Sequence, residues 1–216
     1  MRTLILGVAL LAAAAPLSAQ GHQHDPDHAA PGGGGTLPAG WHAHADRAGA
    51  DMAGLRFAPM APGWHITTGP AVILWRPEDT ATGAFTASAT LPQPKAPMHP
   101  EAYGVFVGGN GLDGATPEYF YFLVRGDGKY MVRHRASNGE VHTLVDWTEN
   151  AAVHKQNVAG ASSNALAVES GAWGLRFKVN GTQVSELANV RASGVVGLRV
   201  NHNLDVHVSD FSVTRR

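Results

Sequence analysis

From Trp64 to the carboxyl end the side chains alternate with period two in short bursts, and no stretch sustains the three-to-four spacing of an amphipathic helix. That pattern restricts the chain to β architectures. In AFTASATL, Phe85, Ala87, Ala89 and Leu91 share one face while Thr86, Ser88 and Thr90 share the other. YFYFLVRGDGKYMVRHR reads as two strands joined at Gly126-Asp127-Gly128, whose glycines supply positive φ. SNGE at 137–140 turns the chain again, and GLRFKVNGTQVSEL is a hairpin whose Asn180-Gly181 fits a type I′ turn. The last strands are VVGLRV and LDVHVSDFSV. In the latter the apolar parity slips between Val208 and Phe211, which predicts a bulge near Ser209-Asp210. About ten to twelve strands with one apolar face each must close into two packed layers. The expected fold is all-β, a two-sheet antiparallel β-sandwich of jelly-roll type.

The amino-terminal third obeys different rules. Met1 to Ala19 has one basic residue, an apolar run from Leu4 to Ala15 and a small pair at Ser18-Ala19, the make-up of a cleavable secretory signal peptide. The apolar run is shorter than the ~20 residues of a membrane span, so neither a span nor, without cysteine, a lipid anchor is expected. The predicted location is the periplasm or the exterior. Residues 20–54 are rich in Gly, Pro, Ala, His and Asp and poor in large apolar side chains, so they read as a flexible arm pinned near Trp41 or Leu55, with the folded domain over 55–216. The net charge of −1 gives no basic surface for nucleic acid.

In that arm His22, His24 and His28, with His42, His44 and nearby aspartates, are ligands suited to zinc, copper or nickel. Cleavage after Ala19 would start the chain Gln20-Gly21-His22, resembling the amino-terminal motif in which the amine, two amides and the imidazole hold Cu(II) or Ni(II). Metal sequestration at Gln20, Gly21, His22, His24 and His28 is therefore one functional alternative. No cofactor is otherwise required, and the sequence assigns no calcium site either way.

The run from Asn164 to Val213, with its VNG turn, GVVGL strand and final DF, resembles the closing strands of the concanavalin A-like lectin/glucanase superfamily. Within it the chain is similar to bacterial secreted 3-keto-disaccharide hydrolase-like domains and laminin-G-like domains, over roughly Trp64 to Thr214. The resemblance implies a sandwich that hosts lectins, glycosidases or spacers. Glucanases of the superfamily place E-x-D-x-x-E on one strand; here the nearest match, LVDWTE, has Leu144 at the first carboxylate, retaining Asp146 and Glu149. A leucine cannot attack a sugar, so no catalytic residue is assigned. A 3-keto-disaccharide-type glycoside hydrolase stays as the enzymatic alternative.

The leading reading is a secreted, non-catalytic binding module for saccharide or cell-envelope glycan. Its residues follow from strand parity. With Phe120, Phe122 and Val124 inward, Tyr119 and Tyr121 point outward as stacking platforms, joined by Arg133 and Arg135 on the next strand and by Arg199 and Asn201 near the end. Trp64, Trp75, Trp147 and Trp173 read as packing residues, and His202 and His207 as hydrogen-bonded surface histidines.

Overall fold

The structure, a computed structural model, describes residues 36–216. The expected signal peptide and the copper motif at Gln20, Gly21, His22, His24 and His28 lie outside the described residues.

Fifteen strands and one 3-10 turn (Met52–Gly54) make up the described chain. In chain order the first eight strands are β1 (His42–Ala45), β2 (Arg56–Pro59), β3 (Trp64–Thr67), β4 (Val72–Ala81), β5 (Phe85–Gln93), β6 (Ala102–Asn110), β7 (Glu118–Arg125) and β8 (Lys129–Arg135). There follow β9 (Val141–Glu149), β10 (Ser162–Gly171), β11 (Gly174–Val179), β12 (Thr182–Ala188), β13 (Gly194–Val200), β14 (Asp205–Val208) and β15 (Ser212–Arg215). A seven-stranded sheet runs β1-β4-β13-β6-β7-β8-β9, a five-stranded sheet runs β12-β11-β10-β5-β15, and a short sheet β14-β3-β2 closes one side. Every pairing is antiparallel.

The core lies between the two large sheets because alternate residues of each send apolar side chains inward. Phe85, Ala87, Ala89 and Leu91 of β5, with Leu166, Val168, Leu175 and Phe177 beside them, meet Leu74, Leu198, Val105 and Phe122 across the gap. Phe122 and Phe177 touch with ring centroids 5.2 Å apart. Burying each such side chain contributes about 1.5–3 kcal/mol before ordering costs. Polar ends are satisfied across the layers: the Tyr130 hydroxyl donates to the Val184 carbonyl at 2.7 Å. At the β11–β12 turn Asn180 and Gly181 both adopt positive φ, 49° and 82°, as a type I′ turn demands.

Four expectations need correction. The arm does not extend to residue 54: Trp41 is buried among Phe57, Trp64 and Phe211, and β1 forms an edge of the seven-stranded sheet against β4. WHAHAD is itself a period-two strand, with small alanines facing inward, so its lack of large apolar residues was misleading. The parity slip after Val208 is no bulge. There the chain leaves the short sheet and enters the five-stranded one, so β14 and β15 bury apolar residues against different neighbours. Phe120 is only half-buried at the core's margin, its ring stacked on His134 at 4.3 Å. Of the two glycines in the β7–β8 turn, Gly128 alone takes positive φ.

Candidate functional site

An antiparallel sheet of a sandwich ordinarily gives its outer face to water. The seven-stranded sheet does so only at its edge strand β9 and not over β4, β6, β7 and β8. On the face turned away from the core, Ile73, Trp75, Phe106, Tyr119, Tyr121, Leu123 and Met131 form a second buried apolar layer, roofed in part by Leu112 from the β6–β7 loop. The strand registers align these residues. Trp75 pairs with Gly197, Gly197 with Phe106, Phe106 with Tyr121 and Tyr121 with Arg133. Gly197 is required at its place, since a Cβ there would fall against the Leu74 carbonyl and the Phe106 ring.

Tyr119 and Tyr121 therefore point away from the core, as parity predicts, but they do not present open ring faces. Tyr119 is 1% and Tyr121 4% exposed. What covers them is charge. The Arg199 guanidinium lies 4.5 Å over the Tyr121 ring. Its Nη1 donates to Asp46 Oδ1 at 2.6 Å and to the Tyr119 hydroxyl at 2.9 Å, and its Nη2 donates to Asp46 Oδ2. The fork of a guanidinium matches both carboxylate oxygens, which makes this a bidentate pair. The Tyr119 hydroxyl in turn donates weakly to Asp46 at 3.5 Å.

The group's ionisation follows from its surroundings. Burial by itself would raise the Asp46 carboxyl, but the charge and hydrogen bonds of Arg199, with Arg135 and Tyr119 behind them, outweigh it and hold the carboxyl below its ordinary range. Burial would likewise weaken the charge on Arg199; Asp46 overrides it and keeps the guanidinium protonated. Burial pushes the Tyr119 hydroxyl up to about 12, against the pull of Arg199. At neutral pH the trio is thus one anion, one cation and a neutral phenol.

Arg133 and Arg135 stand on the same face of β8, opposite Tyr121 and Tyr119 respectively. Both are partly buried, and the Nε of each is shut from solvent with no hydrogen-bond partner among the described residues. Asn201 sits at the margin. Its Nδ2 donates to Glu101 Oε2 at 3.2 Å, and His202 faces the same carboxylate at 2.9 Å. Of the six residues expected to bind, five come together over the outer layer, and Asn201 belongs to the Glu101 group beside it.

Asp46, read from the sequence only as one of the arm's metal-ligating carboxylates, was not joined to Arg199, because the two lie 153 residues apart. The available signal was the period-two spacing of His42, His44 and Asp46, which runs along β1 and one residue past its end. Beside them a cavity of about 300 Å³ is lined by His44, Asp46, Arg47, Met52 and Ala115. His42 stacks on Trp75 at 5.5 Å, and Asp46 is engaged by Arg199. Among the described residues no group of three or more His, Asp or Glu is placed to hold a metal ion. The LVDWTE carboxylates have ordinary tasks: Asp146 accepts from the Trp147 amide at 2.8 Å and Glu149 pairs with Lys155 at 2.6 Å.

No family model matches the sequence, and no curated protein matches it either. Solved structures do resemble the fold. The carbohydrate binding module CBM66 from Bacillus subtilis superposes with a TM-score of 0.59 at 10% identity, covering 81% of this chain and 95% of the module. A protein of unknown function with a galectin-like fold, also from Bacillus subtilis, gives 0.54 at 11% identity, covering 82% and 90%. At these identities the likeness establishes the β-sandwich fold.

Proposed function

We propose that the protein is an exported, non-catalytic saccharide-binding module whose recognition surface is the outer face of the seven-stranded sheet. The observation that carries the reading is the pair Arg133 and Arg135, side by side and partly buried on that face next to the covered aromatic layer, with Nε atoms that no described residue uses. Saccharide sites need apolar planes for the ring carbons and a few fixed polar groups for the substituents. The module that shares this fold is named for carbohydrate binding, which supports the assignment. The leader Met1 to Ala19 supports delivery to the periplasm or exterior, where envelope glycan is available. Among the described residues no helix is long and apolar enough to cross a membrane.

The hydrolase alternative draws no support from the carboxylates around this face. Retaining or inverting chemistry needs two acidic groups facing one bond. Asp46 is bound up with Arg199, Asp127 with Arg125, and Glu149 with Lys155.

A glycan microarray with the protein tests the proposal. Binding to a defined glycan class is expected, with backbone NMR shifts on titration confined to β7, β8, β13 and the Asp46 segment. An array without hits, or shifts confined to the five-stranded sheet, would overturn it.

A further inference from the structure

Arginine partnering differs sharply across this molecule. Arg76, Arg125, Arg176 and Arg199 each hold a carboxylate, on Asp79, Asp127, Glu186 and Asp46 respectively. Arg133 and Arg135 hold none. Neither guanidinium is paired with a carboxylate of a described residue, and the Nε of each, closed to water, has no hydrogen-bond partner there. A guanidinium in such a place has lost part of its hydration without recovering it from the protein, a cost that persists until a partner arrives.

The neighbours of these two arginines offer no such partner. Along the sheet Arg133 lies between Tyr121 and Thr143, and Arg135 between Tyr119 and Val141. Asp46, whose carboxyl feels the charge of Arg135, is already gripped by both terminal nitrogens of Arg199. Asp46, Asp127 and Glu149 around this face are each taken by another cation, Arg199, Arg125 and Lys155 respectively, so Arg133 and Arg135 stand beside the aromatic layer with no carboxylate of their own among the described residues. Residues two apart on a strand are about 6.8 Å apart, so the two free forks address one extended ligand side by side.

We infer that Arg133 and Arg135 form an anion subsite for the carboxylates of an acidic, uronate-bearing saccharide. Arg199 is committed to Asp46 and holds Tyr121 in place beneath that subsite. The inference rests on the saccharide-binding reading and names the chemical class of its ligand. A carboxylate suits the subsite because its two oxygens take parallel N–H donors from a guanidinium, which neutral hydroxyls cannot match in charge.

The experiment is isothermal titration of the protein with polygalacturonate, with the same polymer after carboxyl reduction to the neutral galactan, and with dextran sulfate. Arg133→Gln, Arg135→Gln and the double variant follow, each checked by thermal melting. Uronate binding should exceed binding to the reduced polymer by about tenfold or more, weaken with salt, and fall by a similar factor in each single variant while the melting temperature holds. The preference of the unaltered protein needs no variant, so a folding defect cannot mask the result. Equal binding of uronate and reduced polymer overturns the carboxylate assignment while leaving a saccharide module. Equal binding of dextran sulfate and uronate also overturns it, in favour of a general polyanion surface. Failure to bind any of the three, together with an empty glycan array, would sink both readings.

Discussion

Asp46 and Arg199 show how a single pair can tie a segment to a sheet. Removing one partner of a buried ion pair leaves the other uncompensated, at a cost of about 3–5 kcal/mol when both are fully enclosed. Asp46 keeps 27% of its side-chain surface, so Asp46→Asn should fall toward or below the lower end of that range, read from the urea midpoint. The pH dependence has a definite sign. Because the folded Asp46 pKa is depressed, its stabilisation is complete above the unfolded value of about 3.9 and disappears as pH falls through the lower folded value. Tyr119 works at the other end: its folded pKa is raised to about 12, so its contribution is intact below pH ~10 and is lost as pH climbs from there through the folded value. Melting temperature plotted against pH should therefore drop on both flanks. Asp46→Asn should flatten the acid flank and Tyr119→Phe the alkaline one. Unchanged flanks in both variants would refute the ionisation states described for the trio.

At the scale of elements, strands with an apolar and a polar face were legible, and strands with two covered faces were not. β5 alternates cleanly, and its burial follows the alternation residue for residue. β7, by contrast, carries YFYFLV with no strongly polar position, the mark of a strand covered on both sides. Treating its tyrosines as the polar partners identified their direction and missed the second layer over them. β1 was illegible for the opposite reason, since Ala43 and Ala45 are too small to announce a core. Two measurements follow. Gly197→Ala must push the Phe106 ring or the β4 backbone aside, and overpacking of this kind costs about 1–3 kcal/mol in denaturant unfolding. A chain begun at Leu55 loses Trp41, β1 and Asp46 together. Its melting temperature should fall well below that of a chain begun at Thr36, with loss of the near-ultraviolet aromatic signal from the Trp41 cluster.

For the whole molecule, the sandwich with its alternating core was readable because burial between two sheets writes period two into every inner strand. The candidate site was readable only in part. Five of its residues lie on strands whose parity fixes their direction, while the Asp46–Arg199 pair depends on a long-range contact that no local pattern encodes. The site's character also belongs to this scale. A second apolar layer, closed by Leu112 and the Asp46–Arg199 pair, stiffens the outer face, and the two arginines without a carboxylate mark where a ligand meets it. The central claim is that this outer face, and no other, takes the ligand. Hydrogen exchange of backbone amides, with and without a saturating glycan hit, tests it most directly. Added protection is predicted in β7, β8, β13 and the segment around Asp46, with β5, β10 and β11 unchanged; protection gained on the five-stranded sheet alone would contradict the account.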